Sequence, residues 1–266
     1  MIKKANFHTH TTFCDGCDTM ENMVRAAIAK GFTALGFSGH SYGQYDEDYC
    51  MSRTGTQLYK TEFARLKEKY EGRIRLYCGI EQDYFAQDEP VGFDYVIGSV
   101  HYVPKDGVYV SVDASRENLE SCVRRHWNGD YLAFAEDYYA LMGTMADRLH
   151  PDFIAHFDLV TKFNEGPDGY TLFDEQSPRY LAAAQRALEQ LIQADIPFEI
   201  NTGAIARGYR KTPYPSAEMM RRIRDMGGRF IYSSDCHRKE KLDCGFGDVT
   251  AMAQEMGLCL TDFRLA

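Results

Sequence analysis

The sequence predicts an α/β barrel in which parallel strands alternate with helices and share one polar end. Three observations support this fold. Short apolar, β-rich runs alternate with helical segments about seven times. Six of the runs end in a histidine or a carboxylate. Two of these run ends, one near each end of the chain, carry a pair of such residues: His8 with His10, and Asp235 with His237. Parallel βα repeats of this number form either a barrel or a doubly wound sheet. We expect a barrel because it brings the first and last strands together, and because catalytic groups gather at the C-terminal ends of barrel strands.

The strands are predicted from short apolar runs rich in β-branched and aromatic residues. They cover residues 3–8, 33–38, 74–80, 95–100, 153–156, 196–200 and 229–233. The helices are predicted over residues 18–30, 56–70, 130–148, 177–194, 216–227 and 248–257. In the first helix, Asp18 is a candidate cap, Glu21 follows three residues later and Gly31 follows the end. The second helix carries an apolar stripe on one face.

Residues 102–150 interrupt the regular alternation. They begin with a Pro-Lys-Asp-Gly turn and continue in a long helical segment rich in tyrosine and methionine. We expect residues 102–128 to form an excursion, or lid, over the site, and residues near 130–148 to form a barrel helix. No linker or low-complexity tract suggests a second domain, so residues 1–266 are expected to form a single barrel domain.

The composition limits the classes of function. The chain has 266 residues and a net charge of −9, and 44% of its residues are hydrophobic. The negative charge argues against broad binding to nucleic acid or to an anionic membrane surface. No apolar stretch approaches the ~20 residues that span a bilayer, and the first strand begins too early to leave room for a signal peptide. We therefore expect a cytoplasmic protein whose partner is a small molecule, with its oligomeric state left open.

Polar residues at the strand ends predict a metal site. Residues i and i+2 of a strand point to the same side, so His8 and His10 reach into one space, and Asp235 and His237 do the same. The other runs end at His40, Glu81, His101 and His156. A lone histidine at such a place is usually an ordinary polar residue. Its recurrence at so many strand ends favours a site with several ions, and imidazole with carboxylate suits zinc, manganese or iron.

Six motifs occur in order along nearly the whole chain. They are Phe7-His8-Thr9-His10-Thr11, Gly36-Phe37-Ser38-Gly39-His40, Gly79-Ile80-Glu81, the stretch from Asp94 to His101, His156-Phe157-Asp158 and Ser234-Asp235-Cys236-His237. In these motifs the chain resembles the PHP (polymerase and histidinol phosphatase) family, and the stretch 94–101 and the chain length look like its histidinol-phosphatase branch. The resemblance implies a distorted (β/α)7 barrel with a trinuclear metal site. It also implies metal-dependent hydrolysis of L-histidinol phosphate to L-histidinol and phosphate, a reaction of histidine biosynthesis.

The resemblance further implies two ions that share one carboxylate. The first ion would be held by His8, His10, Glu81 and Asp235. The second would be held by Glu81, His101 and His156.

A third ion is implied beside these two. It would take His40, His237 and a ligand from the loop after the first strand. Many family members have a histidine in that loop, whereas this chain offers Asp15. An Asp-His-His set is adequate for zinc or manganese, so the expected cofactors are two to three divalent ions: zinc, manganese or iron.

The expected mechanism depends on Glu81. Two metals sharing it would lie close enough to share a water, and divalent metals lower the pKa of bound water toward neutrality. A metal-bridging hydroxide is therefore expected to attack the phosphorus without a covalent phospho-enzyme. The leaving alkoxide needs a proton, which Asp235, His237 or a water on the third metal could supply. Glu81, Asp235 and His237 are the candidate catalytic residues.

Other residues are expected to bind the substrate. The candidates for the phosphate are basic residues in barrel loops: Arg207, Lys162 and Arg116. The other end of histidinol phosphate carries an imidazole and an ammonium. Acidic and aromatic loop residues are expected to receive these groups: Tyr42, Asp46, Glu47 and Tyr102.

Two alternatives keep part of this interpretation. One is a PHP phosphoesterase that acts on another substrate, such as a nucleic acid, a nucleotide or phosphotyrosine. The acidic balance and the absence of basic clusters weigh against nucleic acid. The other alternative is a non-catalytic barrel that binds metal, which would require a broken ligand set. Here the set is intact apart from the Asp15 variation, so the phosphatase is the preferred hypothesis.

Overall fold

The structure, a computed structural model, describes residues 4–45, 47–165, 169–261 and 263. Its strands are β1 Ala5–Asn6, β2 Ala34–Phe37, β3 Arg75–Asp83, β4 Tyr95–Ser99, β5 Tyr102–Lys105, β6 Val108–Ser111, β7 Phe153–Ile154, β8 Phe198–Asn201, β9 Arg229–Ser233 and β10 Cys259–Leu260. Its α-helices are α1 Met20–Ala29, α2 Arg53–Lys69, α3 Arg116–His126, α4 Tyr131–Leu149, α5 Pro178–Gln193, α6 Gly203–Arg207, α7 Ala217–Asp225 and α8 Phe246–Glu255.

Eight of the strands form one sheet in the order β1-β2-β3-β4-β7-β8-β9-β10, and all neighbours run parallel. Beyond the ends of β1 and β9, Thr9 pairs with Cys236 in a parallel bridge. The amide of His10 donates to the carbonyl of Cys236 at 2.8 Å, and the amide of Cys236 donates to the carbonyl of His8 at 3.1 Å. The sheet therefore curls until β1 and β9 meet beyond their C-terminal ends. The predicted α/β class and distorted barrel are confirmed.

The barrel departs from seven regular repeats. β1 and β7 span two residues each, because the chain leaves the hydrogen-bonded ladder early at both places. A short eighth strand, β10, was not predicted and pairs with Arg229 and Phe230 at the start of β9. One edge of β9 thus contacts β10 at the start of β9. Beyond the end of β9, the same edge contacts the segment that follows β1.

The first helix begins at Met20, later than predicted. Thr19 caps it, since its hydroxyl accepts from the amide of Asn22 at 3.2 Å. Asp18, the predicted cap, instead accepts from the amide and the ammonium of Lys239 at 2.9 and 2.7 Å. Aspartate and threonine are both good caps, so sequence pattern could not choose between the two neighbours. None of the helices in the described ranges has the length and apolar character needed to cross a membrane.

The segment expected to be an excursion consists of the antiparallel hairpin β5–β6 followed by α3. Its buried side chains belong to the main hydrophobic cluster, where α4 and α5 also contribute: Val103, Val110, Leu119, Val123 and Trp127. The segment is therefore packed onto the barrel. Its movement as a lid stays a prediction.

The interior of the barrel is apolar around Tyr95 of β4. A buried cluster surrounds this ring: Phe7, Ala34, Ile97, Phe153, Ala155 and Ile231. The hydroxyl of Tyr95 lies 2.5 Å from the carbonyl oxygen of Phe7 and 3.0 Å from that of Phe37. Its ring occupies the space that side chains at Gly36 and Gly79 would need. This apolar filling leaves the C-terminal ends of the strands to the polar residues.

Candidate metal centre

The predicted ligands converge at the C-terminal ends of the parallel strands. They are six histidines and three carboxylates: His8, His10, Asp15, His40, Glu81, His101, His156, Asp235 and His237. All except Asp15 and His237 are buried. Burial of so many titratable groups is costly unless each is paired or binds a cation, so their mutual distances are informative.

Glu81 on β3 lies between two groups of imidazoles. Its Oε2 is 3.1 Å from Nε2 of His8 and 3.4 Å from Nε2 of His10. Its Oε1 is 3.1 Å from Nε2 of His156 and 3.3 Å from Nε2 of His101. Two ligands of one tetrahedral zinc ion, each roughly 2.1 Å from it, lie about 3.4 Å apart. The spacing therefore suits one ion on each side of the carboxylate.

Asp235 adds a second carboxylate to the group that contains His8 and His10. Its Oδ1 is 3.2 Å from Nε2 of His10 and 3.7 Å from Nε2 of His8. Asp235 has a φ of 44°, a left-handed conformation that is uncommon outside glycine. It directly precedes Cys236, which pairs with Thr9. The bridge that closes the barrel thus also places this carboxylate.

A third group surrounds Asp15, in the loop after β1. Its Oδ2 is 2.9 Å from Nε2 of His237, and its Oδ1 is 3.6 Å from Nε2 of His40 and from Nδ1 of His10. His40 also reaches the centre of the cluster, since its Nδ1 is 3.0 Å from Oε2 of Glu81. His10 and His40 therefore connect this group with the other two.

The electrostatics keep the carboxylates ionised but divide the imidazoles. Burial would lower the pKa of His8, His40 and His101, but neighbouring carboxylates raise it above the usual value. Burial lowers the pKa of His10, and His237 and His40 lower it further, to about 3. Burial alone would raise the pKa of Glu81, but His40 and His8 hold it well below its usual range. A neutral imidazole and an ionised carboxylate are the forms that bind divalent metals.

One buried nitrogen of the cluster points to the same conclusion. Nε2 of His10 faces Glu81 and Asp235, yet among the described residues it makes no hydrogen bond of ordinary geometry. Buried polar atoms without a hydrogen bond are rare in folded proteins. Together with the donor types and their spacing, this atom indicates that the residues present fit divalent metal ions.

Glu199 on β8 is a buried carboxylate of this region that sequence analysis did not identify. Its Oε1 is 2.6 Å from Nδ1 of His8 and also accepts from the hydroxyl of Ser233. Its Oε2 accepts from the amide of His156 at 2.9 Å and from Nδ2 of Asn201 at 2.8 Å. Burial would raise the pKa of Glu199, but His8 lowers it below the usual value. The available signal was a glutamate inside the apolar strand 196–200, where an unpaired charge is rarely buried.

A cavity of about 700 Å³ lies over the ligand cluster. Besides the ligands, its lining has basic, acidic and aromatic side chains: Lys162, Arg207, Arg238, Lys241, Asp48, Asp113, Tyr49, Tyr102 and Tyr209. The cavity is large enough for a small phosphate ester. Its walls present charges of both signs.

Arg207 is the predicted phosphate-binding residue that borders the cluster. Its Nη2 donates to Oδ2 of Asp235 at 3.0 Å, and its Nη1 lies 3.0 Å from Nδ1 of His237. Burial would lower the pKa of this guanidinium, but Asp235 raises it, so Arg207 stays charged.

Lys162 and Arg116 are placed differently. Lys162 lines the cavity, and its ammonium donates to the carbonyl oxygen and the carboxylate of Asp113 at 2.8 and 3.2 Å. Arg116 is outside the described lining of the cavity; it donates to Glu120 at 3.0 Å and borders a smaller neighbouring cavity. The structure therefore brings Arg207 and Lys162, but not Arg116, to the cavity over the ligands.

Of the residues expected to receive the other end of the substrate, some line the cavity and some do not. Tyr102 lines the cavity. Tyr42 and Glu47 instead hydrogen-bond to each other at 2.6 Å, outside its described lining. Asp46 lies outside the described residues. The neighbouring Asp48 and Tyr49 line the cavity, although sequence analysis had no reason to prefer them within the same loop.

These features define a class of protein: a parallel α/β barrel with a histidine- and carboxylate-lined metal centre at the C-terminal ends of its strands. Residues 6–203 match the PHP domain, and the chain belongs to the PHP domain family. A probable histidinol-phosphatase of Schizosaccharomyces pombe is 28% identical over 250 residues, which cover 86% of this chain and 79% of that protein.

Two solved structures share the fold. A structure from Listeria monocytogenes has a TM-score of 0.79 and 20% identity, covering 92% of this chain and 99% of that chain. The histidinol phosphate phosphatase of Lactococcus lactis, solved with zinc, L-histidinol and phosphate, has a TM-score of 0.69 and 18% identity, covering 97% of this chain and 95% of that chain. The relatives place this chain in the histidinol-phosphatase branch of the family.

Proposed function

We propose that this protein is a metal-dependent phosphomonoesterase that hydrolyses L-histidinol phosphate to L-histidinol and phosphate, in histidine biosynthesis. One observation carries the proposal: two ligand groups that share Glu81 lie beneath a cavity whose walls are basic, acidic and aromatic. The similarity to histidinol-phosphatases supports it, as does the solved Lactococcus lactis enzyme with its zinc, L-histidinol and phosphate.

The proposed ligands divide into three sets. One ion would be held by His8, His10, Glu81 and Asp235, and a second by Glu81, His101 and His156. A third would be held by Asp15, His40 and His237. Bound divalent ions would activate water as a nucleophile and offset the negative charge of the phosphate.

Arg207 is proposed to bind the phosphate, and the tautomer of His237 leaves one N–H group of the arginine available for this contact. Nδ1 of His237 lies 3.0 Å from Nη1 of Arg207 and 3.0 Å from the carbonyl oxygen of Asp235. A neutral imidazole that offers Nε2 to a metal carries its proton on Nδ1, which then donates to the carbonyl. Nη1 of Arg207 has no acceptor on His237 in that state, so it is available for a phosphate oxygen.

Asp235 is proposed to handle the proton of the reaction. Burial would raise its pKa, but Arg207 and His8 hold it well below the usual range, so the carboxylate is ionised. The ionised carboxylate could accept the proton of the attacking water and pass it to the leaving alkoxide, and its low pKa means that it would hold this proton only in transit. His237 lies beside it, with Nδ1 3.6 Å from Oδ1 of Asp235, and is the alternative carrier.

The acidic part of the cavity is proposed to receive the cationic end of the substrate. Burial would raise the pKa of Asp113, but Lys162 and His101 lower it to about 2, so this carboxylate is ionised. Asp48 adds a second carboxylate to the lining, and Tyr49 and Tyr102 add aromatic faces. Carboxylates and aromatic faces attract an ammonium, and aromatic faces can also stack against an imidazole.

A substrate panel tests the proposal. Protein loaded with zinc, manganese or iron is assayed on L-histidinol phosphate, phosphotyrosine and a nucleoside monophosphate. We expect kcat/KM to be at least about tenfold higher for L-histidinol phosphate, because it combines the phosphate with an ammonium and an imidazole and, unlike phosphotyrosine, carries no carboxylate that the acidic part of the cavity would repel. Glu81→Ala should fold and lose turnover.

Three results would count against the proposal, each in a different way. Equal efficiency on all esters would reject the substrate. Full activity of metal-loaded Glu81→Ala would reject the role of Glu81. Bound metal without turnover on any ester would indicate the non-catalytic barrel.

A further inference from the structure

Glu199 is a buried carboxylate in the interior of the barrel. It lies close to the proposed ligands but is not one of them. It lies on β8 between Phe198 and Ile200, which belong to the hydrophobic cluster outside the barrel interior. Alternate residues of a strand point to opposite faces, so Glu199 points inward. Its exposure is 0%, and an uncompensated charge at such a depth would be very unfavourable.

The two oxygens of Glu199 are saturated by four donors. One oxygen lies against Nδ1 of His8 and the hydroxyl of Ser233. The other accepts from the backbone amide of His156 and from Nδ2 of Asn201. An ionised carboxylate is an acceptor at every lone pair, and no other side chain of this size can satisfy four donors in this way.

The contact with His8 decides which nitrogen of that ring faces the site. The acceptor Glu199 lies 2.6 Å from Nδ1, a shorter contact than the 3.1 Å between Nε2 and Glu81, so the proton of a neutral ring is favoured on Nδ1. The lone pair of a neutral His8 is then on Nε2, which lies 3.1 Å from Oε2 of Glu81. A carboxylate behind a ligating histidine is known to fix the tautomer and the orientation of the ring in this way.

The contact with His156 acts on the other ligand group. Here Glu199 holds the backbone amide at 2.9 Å, just where the chain leaves β7. The ring of the same residue places Nε2 3.1 Å from Oε1 of Glu81. Glu199 therefore contacts one ligand on each side of Glu81.

We infer that Glu199 is a positioning residue that sets the tautomer of His8 and the backbone position of His156, and so prepares both ion sites that share Glu81. The inference rests on the proposed metal centre. It predicts that loss of the Glu199 charge weakens metal binding, although Glu199 is not itself a ligand.

Glu199→Gln is the informative variant because an amide has one acceptor oxygen and one donor nitrogen. If the amide oxygen faces His8, the NH₂ group faces the amide of His156, and two donors oppose each other. If the amide is flipped, the NH₂ group faces Nδ1 of His8 and favours the tautomer with its proton on Nε2. Either orientation disturbs one of the two ligands.

Ser233→Ala is the matched control. Ser233 is buried, and its hydroxyl donates to Oε1 of Glu199, the same oxygen that contacts His8. Its side chain makes no described hydrogen bond to any of the nine proposed ligands. Ser233→Ala therefore disturbs the same carboxylate without altering the acceptor that His8 and His156 require.

The test is a titration of metal-free wild type, Glu199→Gln and Ser233→Ala with Zn²⁺ in competition with a chromophoric chelator, with bound zinc counted after desalting. We expect Glu199→Gln to bind zinc about 10- to 100-fold more weakly, the usual effect of losing such an outer partner, and Ser233→Ala to remain close to wild type. Wild-type affinity in Glu199→Gln, or an equal loss in Ser233→Ala, would overturn the inference. Wild type that binds no zinc would instead reject the metal centre itself.

A second measurement covers the case in which Glu199→Gln does not fold. Zinc-loaded wild type with ¹⁵N-labelled histidine is examined by NMR, with His8 assigned from its substitution. The inference requires the His8 proton on Nδ1. A His8 with its proton on Nε2 in the zinc-loaded protein would overturn it.

Discussion

Arg207 connects the ligand cluster with the cavity. Its guanidinium donates to Asp235 and lies against His237, and about 30% of its side chain is exposed. A planar guanidinium can bind two oxygens of a phosphate at once, which an ammonium cannot. Lys162, by contrast, already donates to Asp113. Of the basic residues predicted from the sequence, Arg207 is therefore the one best placed for the phosphate.

Arg207→Ala should raise KM for the phosphate ester by more than about tenfold, because a charge-assisted hydrogen bond to the substrate contributes ~1.5–3 kcal/mol. The measurement is steady-state kinetics in saturating metal. Arg207→Lys should recover part of the loss, since it keeps the positive charge but not the two N–H donors that bind two phosphate oxygens at once. Arg179→Ala, which removes surface ion pairs with Asp130 and Glu136, is the control. An unchanged KM in Arg207→Ala would remove this residue from the phosphate site.

At the scale of the elements, β3 and β4 show what a strand pattern leaves open. The apolar runs predicted both strands, but the role of Gly79 depends on the ring of Tyr95 on the next strand. A Cβ at Gly79 would lie 2.1 Å from Cζ of Tyr95 and 2.4 Å from its Cε1 and Cε2. The glycine therefore makes room for the aromatic ring that fills the barrel beneath the site.

Gly79→Ala should destabilise the fold by roughly 3 kcal/mol or more, since overpacking a close-packed core costs ~1–3 kcal/mol and this overlap is severe. Denaturant unfolding of the metal-free protein measures the change. Gly247→Ala, in α8, is the matched control because a Cβ there meets nothing within 4 Å. That variant should be neutral or slightly more stable, by up to ~1 kcal/mol, because alanine favours a helix. Equal stability of the two variants would contradict this account of the barrel interior.

The hairpin β5–β6 is a second element whose placement the pattern did not reveal. The ring of Tyr109 stacks on Tyr45 at 4.9 Å and contacts Phe85 at 5.0 Å, and Tyr102 meets Tyr45 at 4.7 Å. These contacts join the hairpin to the loops after β2 and β3. Aromatic pairs of this kind contribute ~0.5–1.5 kcal/mol each beyond their burial, so this wall of the cavity is held firmly.

At the scale of the whole molecule, the proposed metal centre joins segments from both ends of the chain. His8 and His10 follow the first strand, while Asp235 and His237 follow β9, and Nε2 of His10 lies 3.2 Å from Oδ1 of Asp235. Ions bound only by the folded chain stabilise it by mass action.

Removal of metal by a chelator should lower Tm by about 5–10 °C relative to protein with zinc at ~100 times its Kd, since such binding contributes ~2.7 kcal/mol and each kcal/mol shifts Tm by ~2–4 °C at this chain length. Differential scanning calorimetry measures the shift, and added zinc should reverse it. In Glu81→Ala the shift should be much smaller. A Tm that does not respond to the chelator in metal-loaded wild type would contradict a cation centre that joins the two ends of the barrel.

Much of the site could be predicted because its signals are local in the sequence. The pairs His8–His10 and Asp235–His237 have strand spacing, and each remaining ligand except Asp15 ends an apolar run. The same reasoning could not choose Asp48 over Glu47, or Tyr49 over Tyr42. Those choices depend on how loops from different repeats fold over the barrel, and loop composition does not determine their direction.

The sequence by itself determined the α/β class, the parallel barrel and the set of side chains at the ends of its strands, because side-chain periodicity and motif spacing act over a few residues. Only the tertiary structure decided which atoms meet: that His40 lies between Glu81 and Asp15, that Thr9 pairs with Cys236, and that Glu199 lies against His8. These contacts join residues far apart in the chain. They depend on the curl of the sheet and on the packing of its interior, and no short segment of the sequence determines either of these.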